Sequence, residues 1–389
     1  MSRSGALRGW IAALGGVIAV LLAGGTWIAL THTTAQASGK SQRPGHHASA
    51  NRPAAPLQVV SVTPAAGAAD ADGAAPVRIE FSAALAPDSP LPTLRPAIAG
   101  SWQHVSGSTI QFAPDLGYGV RQRVRLQIPG GPDGMRSAGG AQLASAVTVR
   151  FRTGTYSILR MDQLLAQLGY LPLTWTAADL GTAPAATDLA AQRSAAYDPP
   201  SGLFSWQSGY PARLRSFWQG GDSGSLILKG AVMAFEADHG MTMDGVVGPA
   251  VWKAVFAALA AGQNNTHGYT YAVASQKAPE TLTIWHNGAV VLHHLANTGI
   301  PAAPTTIGTA PVYLRYRFQI MRGTNPDGSK YADPVDFVSY FRAGEAVHYF
   351  PRYSYGFQQS LGCVELPWGA AEQAWPYLTY GSLVTVTAP

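Results

Sequence analysis

Cys363 is the only cysteine in 389 residues, so no disulfide can form within the chain. It lies in Gln359-Ser360-Leu361-Gly362-Cys363-Val364-Glu365-Leu366-Pro367. A thiol beside a glycine suits nucleophilic chemistry, because Gly362 permits a tight turn and a close approach of backbone to substrate. An unperturbed thiol is only a few per cent thiolate at neutral pH, so it needs a base. His348, in the strand-like Glu345-Ala346-Val347-His348-Tyr349-Phe350, is the nearest candidate upstream. A strand, loop and turn of that length can fold back and bring imidazole to thiol. Backbone N–H groups of the turn Leu361 to Cys363 are candidates for holding an oxyanion, with Ser360 in support. Asp336 or a backbone carbonyl is positioned to orient His348. Tyr353, Tyr355 and Glu365 flank the pair as candidate substrate contacts. On residue types alone a second reading stands beside this one: a lone cysteine that is a small buried hydrophobe, and a strand histidine that is structural.

No metal or cofactor is expected. His293-His294 and His46-His47 lack ligand spacing, and no His-Glu-x-x-His occurs. A net charge of +5, with no basic run or nucleic-acid motif in the sequence, is too small to argue for nucleic acid, although it favours approach to an anionic wall polymer.

The elements that must position this site fall into a multidomain order. Arg3 and Arg8 precede the uncharged run Gly9 to Leu30, which is long enough to span a bilayer with the N-terminus inside. The length favours an uncleaved membrane helix over a cleaved signal peptide, for which Ala35-Gln36-Ala37 offers a site. Either way the rest of the chain is exported, to the cell envelope or beyond it. Residues 1–30 are thus a cytoplasmic stub and anchor, and residues 31–56, rich in Ala, Ser, Thr, Gly, Pro and His, a flexible tether. Residues 57–154 hold short alternating segments (Val59-Val62, Val77-Phe81, Thr109-Phe112, Val124-Ile128, Val147-Phe151) between Gly, Pro and Asp turns, predicting a small all-β sandwich that serves as a spacer. In residues 155–262 the period becomes helical: Ile158 to Tyr170, Ser225 to His239, and a third helix opened by Pro249. Residues 267–389 return to mainly β structure, with a hairpin at Asn287-Gly288, one helix from Trp368 to Tyr377 and a last strand at Ser382-Thr387. Nothing in the chain asks for a second subunit, and a monomer is expected.

Three resemblances attach to these segments. Residues 57–154 resemble bacterial Ig-like modules of wall-associated proteins. Gly240 to Trp252 resembles the turn and helix of a three-helix peptidoglycan-binding module, with Asp244, Gly245, Gly248 and Trp252 in matching places. Phe235-Glu236 stands there for the usual Phe-Gln, and Val251 for Thr; a helical packing domain without a ligand is the alternative. Most specifically, residues around the cysteine resemble the L,D-transpeptidase (YkuD-type) signature, an upstream His followed by Ser/Thr-His-Gly-Cys-apolar-Arg/Asn. Ser360, Gly362, Cys363 and Val364 match, as does His348; Pro304-Thr309 is similar to the family's substrate loop and Tyr380-Val384 to its closing strand. The resemblance implies peptidoglycan as partner, attack by Cys363 on a stem-peptide carbonyl preceding D-Ala, and transfer of the acyl group from the thioester to a neighbouring stem. It departs from the family at Leu361, where the motif His stands, and at Glu365, where Arg or Asn is usual. Hydrolysis of the same thioester, or a non-catalytic wall-binding protein, are the competing functions.

Overall fold

The computed structural model describes residues 55–115, 117–179 and 181–389. The expected membrane helix and most of the tether lie outside the described residues. Among the described residues no helix is long and apolar enough to cross a membrane.

The first domain is the expected sandwich. Its strands are β1 (Val59–Thr63), β2 (Val77–Phe81), β3 (Thr93–Arg95), β4 (Gly100–Ser106), β5 (Thr109–Pro114), β6 (Arg123–Ile128) and β7 (Val147–Arg152). They form a four-stranded sheet ordered β1-β2-β5-β4 and a three-stranded sheet ordered β3-β6-β7. Alternation drives the packing: Val124, Leu126 and Ile128 point into a core with Ile79 and Ile110, while Arg123, Arg125 and Gln127 point out. Two strands were not foreseen. β3 is three residues long between prolines, and β4 is an edge strand exposed along nearly its whole length, so neither has a readable alternation.

The middle region contains the three expected helices and more. α1 (Ile158–Gln167) ends before Gly169, whose φ of 80° suits glycine. The connection that follows is a hairpin of β8 (Leu173–Ala177) and β9 (Gly202–Trp206), with α2 (Leu189–Tyr197) inserted between its strands. After the short α3 (Ala212–Arg215) come α4 (Leu226–Asp238), capped by Ser225, and α5 (Pro249–Ala261). The expectation of a small, separate three-helix domain is therefore corrected. Tyr269, Tyr271 and Leu383 of the following domain share one core with Leu228, Phe235 and Trp252. At this contact a Cβ on Gly230 would lie 2.5 Å from the Gly381 carbonyl oxygen, and one on Gly381 2.1 Å from that of Gly230. Only glycine at both positions lets α4 sit this close.

The C-terminal domain is built from β10 (Thr270–Ser275), β11 (Thr281–His286), β12 (Ala289–Leu295), β13 (Gly308–Pro311), β14 (Leu314–Thr324), β15 (Lys330–Arg342), β16 (Glu345–Tyr349), β17 (Val364–Leu366), α6 (Trp368–Ala374) and β18 (Leu383–Thr387). A five-stranded sheet runs β12-β11-β10-β18-β13 and a four-stranded one β14-β15-β16-β17. Ala272, Ile284, Phe341, Val347, Val364 and Val384 meet between them. Asn287 and Gly288 both take positive φ, as the two-residue turn between β11 and β12 requires.

One buried acid ties the middle region's stability to pH. Asp162 is fully buried on α1, accepts a hydrogen bond from Gly221 N–H at 2.7 Å, and is pushed up to about 7 by burial. Its proton is held more tightly in the folded chain than in the unfolded one, where a carboxyl titrates near about 3.9. The resulting stabilisation is complete below about pH 4 and is lost as pH rises through about 7. Urea unfolding at about pH 5 and about pH 8 should show wild type losing up to roughly 2.5 kcal/mol from this group, and Asp162→Asn losing distinctly less. An equal loss in both would assign the pH dependence elsewhere.

Candidate active site

The pairing of two short strands sets the site. β16 and β17 run parallel with Val347 opposite Val364, His348 opposite Glu365 and Tyr349 opposite Leu366. Val347, Val364 and Leu366 fill the core. Because side chains alternate, Ala346, His348, Cys363 and Glu365 share the other face. There His348, Cys363 and Glu365 line a cleft of about 260 Å³ together with Met321, Asp333 and Arg352. The sequence-predicted nucleophile and base are thus brought into one cleft.

The long β14–β15 hairpin forms the opposite wall. Phe337 takes a φ of 60°, and the β15–β16 register shifts between Asp336 and Ser339. Before this bulge Tyr331, Asp333 and Val335 point to the cleft face; beyond it Val338 and Tyr340 do. Asp336 points the other way, into an ion pair with Arg317 at 2.6 Å. It does not orient His348. That task falls to a backbone carbonyl: His348 Nδ1 lies 2.8 Å from Tyr349 O. A carbonyl only accepts, so Nδ1 holds the proton and Nε2 is the basic nitrogen.

Both members of the pair are neutral near pH 7. Burial holds His348 below its ordinary value. Burial also pushes the Cys363 thiol up to about 12, the Ala346 backbone N–H offsetting part of this and the Glu365 and Glu345 carboxylates adding to it. Both shifts favour the thiol and the neutral imidazole in the resting cleft, where the Cys363 thiol donates to Gly344 O at 3.8 Å.

The turn holding the cysteine is closed by Ser360. This fully buried side chain donates to Cys363 O at 2.6 Å and accepts from Gly362 N–H at 3.2 Å. Its backbone is bonded on both sides, N–H to Thr298 O and O from Ile300 N–H, both at 2.9 Å. Ser360 is a clamp. Gly362, at a φ of 108°, has its N–H occupied by this clamp, so it is removed from the expected oxyanion donors. Leu361 is 36% exposed and lines the cleft beside the sulfur. In the Pro304-Thr309 segment, Thr305 accepts from Gly299 N–H, and Thr306 is tied to Glu345 through both its N–H and its hydroxyl. That loop is thereby fastened to the start of β16.

Of the three expected substrate contacts, only Glu365 lines the cleft. Tyr353 is fully exposed and outside the cleft lining. Tyr355 spends its hydroxyl on Phe350 O at 2.6 Å. Glu365 is 4% exposed and gives both carboxylate oxygens to Arg352, Nε to Oε2 and Nη2 to Oε1, each at 2.8 Å. Arg352 was not anticipated. Its Nη2 also bonds Gln359 O at 3.1 Å, its guanidinium lies 4.6 Å from the Phe350 ring centre, and Glu365 holds its charge firmly on. The acid at position 365 is the signal that pointed to it, since a buried carboxylate beside a nucleophile demands a cation.

The residues expected to read peptidoglycan in the middle region have structural roles. Asp244 accepts from Val246 N–H, Gly245 donates to Glu236 at a φ of 68°, Gly248 opens α5, and Trp252 is 6% exposed with its ring against Tyr156.

Alkylation reads the protonation state directly. With the thiol raised and the imidazole lowered, the rate of Cys363 modification by iodoacetamide should climb roughly tenfold per pH unit from about pH 7 to about pH 10, without levelling off. A plateau reached below about pH 8 would mean a resting thiolate–imidazolium pair instead.

Residues 269–386 match the family model of the L,D-transpeptidase catalytic domain (YkuD), and residues 53–153 that of a bacterial Ig-like domain. No curated protein matches the chain. Among solved structures it is similar to an L,D-transpeptidase from Mycobacterium smegmatis, at 16% identity over 86% of this chain and 100% of that one, TM-score 0.29. It is similar also to L,D-transpeptidase 3 from Mycobacterium tuberculosis, at 16% identity over 85% and 98%, TM-score 0.29. The catalytic domain of the E. faecium enzyme aligns at 24% identity over 30% and 95%, TM-score 0.28. The segment 269–386, which includes His348, Gly362 and Cys363, thus matches the YkuD-type L,D-transpeptidase catalytic domain, in a chain that also matches a bacterial Ig-like domain.

Proposed function

We propose that this chain is a cell-envelope enzyme that cross-links peptidoglycan stem peptides through a thioester on Cys363. The observation that supports it is the parallel register of β16 and β17, which sets His348 and Cys363 on one face of one cleft. In the first half-reaction the sulfur attacks the stem carbonyl preceding D-Ala, and Nε2 of His348 takes the thiol proton. The tetrahedral intermediate collapses, the C–N bond breaks, and the same proton passes to the departing D-Ala amine. With Gly362 N–H engaged, the Cys363 backbone N–H is the turn's donor for the oxyanion. In the second half-reaction an amine of a neighbouring stem attacks the thioester and the thiol is regained. Arg352, held rigid by Glu365, offers its remaining guanidinium N–H groups to a carboxylate of the incoming stem.

Leu361 favours transfer over hydrolysis, because an apolar side chain beside the thioester excludes water. The run Gly9 to Leu30 is assigned as the anchor that keeps the enzyme at the outer face of the membrane. The middle region, sharing a core with the catalytic sheets, acts as their support.

Incubation with disaccharide-tetrapeptide tests the reading. Cross-linked dimer is the expected product, a trimmed tripeptide alone would mean a hydrolase, and no change would mean a binding protein. Cys363→Ala should abolish the dimer. His348→Ala should slow acylation by roughly 10²–10⁴, the usual range for a lost general base. Leu361→Ala should leave acylation within about tenfold while raising the hydrolysed fraction. A His348→Ala variant that acylates like wild type would remove His348 as the base.

A further inference from the structure

The outer face of the β3-β6-β7 sheet in the Ig-like domain is a ladder of like charge. Arg95 stands opposite Arg125, and Arg125 opposite Arg150; one step along, Arg123 stands opposite Arg152. All five are exposed, and the residues between them, Leu94, Val124 and Phe151 among them, are buried. Neighbouring strands lie roughly 4.8 Å apart, so cross-strand arginines are close enough to repel, and like charges directly opposite destabilise a sheet. Among the described residues none of the five is in an ion pair with a carboxylate; Arg152 Nε makes one bond, to Ala69 O. The arginines line a concavity of about 710 Å³, walled on its sides by Ala68 and Pro96. The next row along the same face, Thr93, Gln127 and Thr148, is uncharged but equally exposed and able to hydrogen-bond.

An unneutralised row of guanidinium groups across three strands is an unfavourable arrangement for the isolated domain and a favourable one for a polyanion. We propose that this face is a binding site for a linear phosphodiester polymer. Its shape supports a single extended chain, since a planar bilayer would not enter a concavity, and its lining among the described residues holds no exposed large aromatic to insert into lipid. Its charge geometry supports phosphate. A carboxylate's two coplanar oxygens match a single guanidinium fork, whereas the diverging anionic oxygens of a phosphodiester can meet guanidinium groups from adjacent strands. The row Arg95, Arg125 and Arg150 places three charges within roughly 10 Å, a density that a phosphodiester backbone can follow. The site would hold the enzyme along an anionic strand of its surroundings independently of the catalytic cleft.

Long-chain inorganic polyphosphate is the probe, with the full chain titrated against it at several salt concentrations. Wild type should bind, with affinity falling steeply as salt rises. The triple variant Arg95→Gln/Arg125→Gln/Arg150→Gln should bind at least tenfold more weakly and show a log–log salt slope reduced by roughly two to three. Removing the same charge elsewhere, in Arg78→Gln/Lys253→Gln/Lys277→Gln, should change affinity less than threefold. The single Arg125→Glu, central in the ladder, should also weaken binding at least tenfold, and its thermal melt should show the fold intact. Relief of repulsion predicts that the triple Gln variant melts no lower than wild type. Equal losses in the ladder and control variants would overturn the proposal. So would poly-glutamate of matched length binding as tightly as polyphosphate, or phosphatidylglycerol vesicles binding as tightly and losing that binding in the ladder variant.

Discussion

Three residues of parallel pairing between β16 and β17 decide what this catalytic domain can do. Val347 and Val364 face each other in the core, and the alternation of the strands then leaves His348, Cys363 and Glu365 no choice but the cleft. A slip of one residue would turn the thiol into the apolar layer and a valine into the cleft. The register is held by more than the ladder. Ser360 closes the turn onto the Cys363 carbonyl, and Asn297 exchanges both backbone hydrogen bonds with Glu365. The buried Asn297 side chain also accepts from Gly356 N–H, so the loop leading to the cysteine is pinned to the segment just after β12. The nucleophile is positioned by backbone bonds made far from it in sequence.

The electrostatics of the cleft follow from that geometry. A carboxylate two residues beyond the nucleophile, on the same face, would be costly to bury alone and would hold the thiol in its protonated form. Arg352 satisfies it through two parallel bonds while stacking on Phe350. Where the signature that this segment resembles has Arg or Asn two residues after the cysteine, this chain has Glu365, and a cation is supplied from the preceding loop by Arg352. The lowered His348 and the raised Cys363 thiol have one cause, the burial of both groups on the same face.

The rest of the chain divides between support and reach. α4 meets the turn before β18 glycine to glycine, at Gly230 and Gly381, so the middle helices and the catalytic sheets form one core. The Ig-like domain puts its apolar residues inward and five arginines outward on one sheet. Strand alternation serves opposite ends in the two domains, presenting a catalytic pair in one and a charged face in the other.

The sequence by itself marked the positions of most regular elements and singled out Cys363 and His348 as the candidate nucleophile and base. Period-2 runs, the Ser225 and Pro249 helix starts and the Asn287-Gly288 turn are local signals, and a single cysteine leaves no competing thiol. Tertiary structure alone decided the rest. Whether a polar side chain faces a cleft or a partner depends on register and bulges, so Asp336 turned away at the Phe337 bulge and Tyr355 was consumed by a carbonyl. The hairpin of β8 and β9 has a helix inserted between its strands, and no local pattern reports a pairing across such a distance. Arg352 joined the site and Trp252 left the surface for the same reason: contacts between residues distant in sequence are set by packing, which leaves no mark on the residues nearby.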